Sequence, residues 1–329
     1  MTGGHHLKRR GRAWTFIALR WLAAVGVFLL LLHFLPFAPL RAALARVPPL
    51  RFVSILILYM GAHTLGIVKW RMVVNAAGGE VDFSTSAQCY LGGLFGTLFL
   101  PSIIGGDVVR LTVGLRRSPH PAAVLAGNFV DRFLDVTSQG AVVLLGLVLL
   151  PGSVSSDVAP SVRKALLWFA AFVIILIGLG LILYRPLMRG RSVHFRRRLA
   201  RLRHSLRSVR GRPQILGLGW LLAFFIQFSF VFLTALLAIS VGLVLPLRVW
   251  LFAWPLAKIS ALLPLTQGGI GIREAALVAL LVPFGAPAAL TLASGLIWEG
   301  IIVAGGLIAG VVGFILRHGS AASRNAVLP

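Results

Sequence analysis

Five carboxylates and four basic side chains stand where an apolar chain should carry none. Asp107, Asp131, Asp135, Glu274 and Glu299 are five of only eight acidic residues in 329, and each falls in an apolar run or at a break in one. Arg110, Arg132, Lys258 and Arg273 accompany them. A charge at the centre of a membrane helix costs about 2.5–3.5 kcal/mol. Nine left unpaired would cost on the order of 25 kcal/mol, above the roughly 5–15 kcal/mol stability of a typical fold. They must therefore be paired, hydrated or near an interface. Two chemistries meet that requirement. Asp107 with Arg110, and Arg132 with Asp135, are one helical turn apart and could simply lock helices together. The same residues could line a polar cavity for a charged substrate, with arginines placed to hold a phosphate.

The spacing favours the cavity. Pro101-Ser102-Ile103-Ile104-Gly105-Gly106-Asp107-Val108-Val109-Arg110 reads Pro-x-x-x-Gly-Gly-x-x-x-Arg, and so does Pro264 to Arg273, 163 positions later. Each combines a helix breaker, two glycines and an arginine, and Glu274 follows the second. Pro101, Gly105, Gly106, Pro264, Gly268 and Gly269 are the expected hinge positions. Glycine lets backbone approach a ligand, and broken helix ends expose N–H groups that bind anions. Gln227 and Gln267 are open between lining the cavity and bonding across helices. His33 and His63 read as interhelical or interface residues, and Asn128 shares a face with Asp131 and Arg132.

These residues must be positioned by membrane helices. The chain is 58% hydrophobic with a mean hydropathy of +0.93, where soluble domains run about 45–50% apolar. Several apolar runs reach the roughly 20 residues that cross a bilayer. Full spans are expected near 14–35, 52–74, 121–150, 166–184, 215–245 and 287–316. Two stretches, 84–100 and 250–263, are too short and end at Pro101 and Pro264. The glycines Gly305, Gly306 and Gly310 fit close helix packing. The one cysteine, Cys89, excludes a disulfide within the chain and a Cys-based metal site.

Charge sets the orientation. The net charge of +24 sits in loops beside the spans, where it acts as topology signal and anionic-lipid contact, not as a nucleic-acid surface. The N-terminal basic residues, Lys69, Arg71, Arg116, Arg117, the eleven arginines from Arg185 to Arg212 and Arg317 are all expected on the cytoplasmic side. Leu199, Leu202, Leu206 and Val209 give the arginine segment an apolar stripe, as in an amphipathic connector on the inner leaflet. The N-terminal apolar run is expected to remain as a span, since no small-x-small cleavage site follows it. The count closes if 84–117 is a hairpin entering from the cytoplasm and 250–283 one entering from outside. The expected fold is one all-α polytopic membrane domain over 1–329, an inverted-repeat bundle with two re-entrant broken-helix hairpins. Its pseudo-repeats would cover about 50–150 and 214–317, joined by a basic connector at 185–213.

Enzyme motifs fit poorly. Asn128-x-x-Asp131-x-x-x-Asp135 is similar to the Asp-rich motif of intramembrane prenyltransferases, but the asparagine is one residue out of register and a second motif is absent. Asp131-x-x-x-Asp135 resembles only the end of the CDP-alcohol phosphotransferase signature. No P-loop, His-Glu-x-x-His or Gly-x-Ser-x-Gly occurs. No catalytic residue, metal site or cofactor is expected.

The order Pro101…Gly105-Gly106-Asp107-Val108-Val109-Arg110, then Asp131-Arg132, then Pro264…Gly268-Gly269-Ile270-Gly271-Ile272-Arg273-Glu274 resembles the lysylphosphatidylglycerol synthase transmembrane region, the flippase-like domain family. The family often has Glu-Arg where this chain has Asp131-Arg132. The likeness covers nearly the whole chain and implies lipid translocation; the expected place is a bacterial or archaeal cytoplasmic membrane, and the charge distribution puts both termini on the cytoplasmic side. Only about a dozen residues follow the last expected span, so the aminoacyl transfer of two-domain members is not carried over. The implied substrate is a phospholipid or lipid-linked headgroup with a phosphate. Arg110 and Arg273 are expected on that phosphate, with Asp107 and Glu274 as their partners in the empty state. Asp131, Arg132, Asp135 and Glu299 would line the wall as candidates for proton coupling. Expected protein partners are a second copy or a separate lipid-modifying enzyme. The rival reading is a membrane-embedded transferase acting on a lipid-linked substrate.

Overall fold

Proline opens three of the long helices, at a position whose missing N–H and fixed φ suit a helix's first turn. A computed structural model describes residues 42, 45–100, 102–150, 193–261, 266 and 269–325. The expected spans at 14–35 and 166–184, and Pro101, Pro264, Gln267, Gly268 and His33, lie outside the described residues. The elements are α1 (Pro49–Ala76), α2 (Phe83–Thr97), α3 (Ser102–Arg117), α4 (Pro121–Leu149), α5 (Val193–Arg210), α6 (Pro213–Ser240), α7 (Leu247–Ser260), α8 (Ile272–Leu281) and α9 (Ala288–Asn325). A 3₁₀ turn at Val282–Phe284 lies between the last two. No strand occurs among the described residues.

Four helices are long and apolar enough to cross a membrane: α1, α4, α6 and residues Ala288–Arg317 of α9. The protein is an all-helical, multi-pass membrane protein. Its outer surface carries large apolar side chains such as Ile57, Phe129, Leu144, Val148, Leu221 and Phe314, as a lipid-facing wall requires. By contrast α2, with 15 residues, and α7, with 14, rise only about 21–23 Å at 1.5 Å per residue. That is short of the roughly 30 Å hydrocarbon core. On either side of α5 the described helices run long, short, short, long.

The contacts define two ends. Ser208 donates to the Ala76 carbonyl at 3.1 Å, and Ser118 to the Gly79 carbonyl at 2.9 Å. The Gln88 amide donates to the Leu316 carbonyl at 3.2 Å. Arg116, Arg117, α5 and Arg317 therefore gather at the end of the molecule where α1 finishes. At the other end Arg51 donates to Ser240 at 3.1 Å, so α1 and α6 run antiparallel. The α2–α3 hairpin starts and finishes at the basic end. The α7–α8 hairpin starts at the other end and returns there, with Phe252 and Phe284 rings 6.3 Å apart.

Two expectations change. Part of the apolar stripe of α5 packs on protein: Val209 is buried, and Leu202 and Leu206 pack with Ala76, Ala77, Ala123 and Ala126 at the ends of α1 and α4. The expected last span near 287–316 is found at Ala288–Arg317, and its helix continues to Asn325. The two glycine motifs also differ despite identical spacing. Gly105 and Gly106 are helical, inside α3, and the first break falls before them, after Thr97. Their role is packing: a Cβ on Gly106 would come within 2.6 Å of the Gly93 carbonyl oxygen on α2. In the second motif Gly269 and Gly271 adopt φ of +81° and +84°, which side chains other than glycine's rarely adopt, and α8 begins only afterwards. The second motif also carries a third glycine, Gly271, where the first has Val108.

Candidate functional site

The buried charges collect around one cavity of about 640 Å³. Its wall is drawn from both halves of the chain: Lys69 of α1, Asp107 and Arg110 of α3, Arg132 and Asp135 of α4, Lys258 of α7, Arg273 of α8 and Glu299 of α9 all line it. Two groups form, one per half.

The first joins three cations to three carboxylates. Lys69, only 2% exposed, contacts Asp131 at 2.8 Å and also pairs with Asp135. Arg132 reaches Asp131 and Asp135, each at 3.0 Å, and Asp107 at 3.6 Å. Arg110 lies 3.7 Å from Asp107 and 3.6 Å from Asp131, with its guanidinium 4.1 Å from the centre of the Tyr90 ring. Asp131 is fully buried, and removing its partners would leave an uncompensated interior charge. Asn128 accepts a hydrogen bond from the Trp70 indole at 3.1 Å, which fixes α4 against α1 one turn from Asp131.

The second group is built on α8. Gly271 precedes the helix, and its N–H donates to Glu274 Oε2 at 2.7 Å, the reach of a third-position glutamate back to a helix start. The other oxygen of Glu274 accepts from Arg273 Nη2 at 2.6 Å. Arg273 also pairs with Glu299 and lies over Trp254, 5.6 Å from the ring centre. The arginine that sits poorly at a positive helix end is thus held by two carboxylates.

Lys258 stands apart. Its ammonium donates to Gln227 Oε1 at 3.0 Å and lies 5.4 Å from the Phe230 ring centre. His63 lies among Tyr59, Tyr90 and Phe230, its Nδ1 3.3 Å from the Tyr90 hydroxyl. Gln139 closes the wall between α4 and α7 by donating to the Pro255 carbonyl at 2.7 Å. Outside the membrane helices, Asp82 starts α2 by accepting from the Thr85 N–H at 3.3 Å. Burial acts to raise its carboxyl pKa, but the hydrogen bonds from Thr85 outweigh it and hold the group below its ordinary value.

The eight charged residues expected from sequence all belong to these two groups, and Arg110 and Arg273 line the same cavity. Asp107 with Arg110, and Arg132 with Asp135, do pair locally, but most contacts come from other helices. Sequence reasoning misplaced Lys69, which belongs to the buried cluster and not to a cytoplasmic boundary. It noted Lys258 and Gln227 without joining them, and it passed over Tyr59, Tyr90 and Trp254. The available signal was their place in helices otherwise apolar. The carboxylates of Asp131 and Asp135 are engaged by lysine and arginine rather than grouped for a cation. Among the described residues no three His, Cys, Asp or Glu converge as a metal's ligands would.

No curated protein and no solved structure matches the chain. Residues 17–310 match the family described as the lysylphosphatidylglycerol synthase TM region, a span that holds both glycine motifs, both charge groups and the cavity. The chain belongs to that family.

Proposed function

We propose that the protein is a lipid translocase that passes a phosphate-bearing headgroup through the charged cavity while the acyl chains stay in the bilayer. The observation that carries this reading is the cavity itself. It is charged on the inside and built from both halves of a multi-pass membrane protein. Its lining also includes Phe99, Val136 and Leu307, each half or more exposed among the described residues, which suits acyl chains passing alongside. The long, short, short, long order in each half and the opposite ends from which the hairpins start support an inverted repeat with two re-entrant hairpins. The basic end carries Arg116, Arg117, Arg317 and the arginines of α5, which supports a cytoplasmic assignment for it. Family membership supports a lipid-related role.

The test is reconstitution of the purified protein into vesicles containing phospholipids labelled on an acyl chain. Dithionite quenching of the outer leaflet should reveal movement faster than in empty vesicles, with the extracted lipids chemically unchanged. A new, divalent-metal-dependent lipid product, lost in Asp131→Asn, would instead establish a transferase.

A further inference from the structure

We infer that the cavity is built for a zwitterionic phosphodiester headgroup, its phosphate against Lys258 and Trp254 on α7 and its ammonium against Glu299 on α9; this rests on the translocase reading.

Charge balance gives the first argument. Lys69, Arg110 and Arg132 are matched by Asp107, Asp131 and Asp135. Arg273 faces both Glu274 and Glu299. Lys258 bonds a neutral amide oxygen, and among the described residues no carboxylate lies within ion-pair reach of it. With every group ionised, the cavity holds one cation without a carboxylate and one carboxylate in excess of its arginine. Such charges interact strongly in a low dielectric. A phosphate alone would satisfy Lys258 and leave the acidic side unmatched, whereas a phosphate with an ammonium satisfies both.

Donor geometry gives the second. Trp254 lies one helical turn before Lys258 and lines the same cavity. Its indole Nε1 is buried and has no hydrogen-bond partner among the described residues, and the residue is only 3% exposed. An unsatisfied buried N–H is costly, and a phosphate oxygen at Lys258 would supply its acceptor. Arg110 also has an unbonded Nε and Nη1, but Asp107 and Asp131 stand 3.6–3.7 Å from it and would repel an arriving anion. On the acidic side both Glu274 oxygens are engaged, by Gly271 N–H and by Arg273. Glu299 accepts through one oxygen only among the described residues and is the more accessible, 14% against 0% for Glu274. It is therefore the carboxylate that an ammonium meets.

Vesicles carrying the wild-type protein should be compared with acyl-labelled phosphatidylethanolamine, phosphatidylcholine and phosphatidylglycerol. The two zwitterionic lipids should cross at least about fivefold faster than phosphatidylglycerol, the factor that a modest ion pair supplies. Glu299→Gln, which keeps a hydrogen-bonding oxygen for Arg273, should slow only the zwitterionic lipids and bring the ratio near one. Lys258→Gln should slow all three. Wild-type protein moving phosphatidylglycerol as fast as phosphatidylethanolamine, or faster, overturns this inference and leaves translocation standing. Movement of none of the three above empty vesicles overturns the translocase reading and the inference with it.

Discussion

Lys69 is the residue on which the first charge group depends. It is buried among carboxylates from α4 that lie 62 and 66 positions away in sequence. Without its ammonium, two arginines face three aspartates at the site. Breaking a buried ion pair by removing one partner typically costs about 3–5 kcal/mol, because the remaining charge stays desolvated. Lys69→Met should therefore lower the thermal unfolding midpoint in detergent sharply. Adding Asp131→Asn restores the charge balance and should recover most of the loss. Equal damage from the single and double variants would mean that shape, not charge, sets the role of Lys69. This residue also marks the limit of sequence reasoning at this scale. Its charge is plain in the chain, but its partners are on another helix, and no local spacing joins positions 69 and 131.

At the scale of elements, small residues decide how closely helices approach. A Cβ on Gly146 of α4 would lie 2.6 Å from the backbone nitrogen of Phe252 and 2.8 Å from the Leu251 carbonyl carbon on α7. Backbone cannot move aside as a side chain can. Gly146→Ala should force α4 and α7 apart and cost about 1–3 kcal/mol, the usual range for overpacking. Gly140, on the same helix, has nothing within 4 Å of the added carbon. Gly140→Ala should be neutral or stabilise by up to about 1 kcal/mol through helix propensity. Unfolding curves of the two variants, measured side by side, check both. Gly305, Gly306 and Gly310 instead make room for side chains, those of Tyr59, Leu98 and Phe95. The long helices were legible because proline starts and unbroken apolar length are local signals. At the second break Gly269 and Gly271 adopt positive φ, the conformation that glycine permits. The first was misplaced at Gly105 and Gly106, because glycines that permit a turn and glycines that permit helix contact look alike in sequence. What separates them is the neighbouring helix, here Gly93 of α2.

At the scale of the molecule, two hairpins from opposite ends bring their charges to one cavity. Arg110 and Arg273 line the same cavity, and each is held by its own half's carboxylates. The structure adds Lys69, from the first half, and joins Lys258 to Gln227 in the second. If the cavity is the path, filling it must stop transport. The direct measurement replaces Cys89 with serine and places a single cysteine at Ile302, a cavity-lining position on α9. A second variant carries its cysteine at the exposed position Arg248, outside the cavity lining. Each is reconstituted, reacted with a bulky maleimide, and assayed for lipid movement. Blocking at 302 should reduce the rate to that of empty vesicles, while labelling at 248 leaves it unchanged. Full-rate movement with the probe confirmed in place at 302 would contradict the account, because lipid would then be crossing by another route.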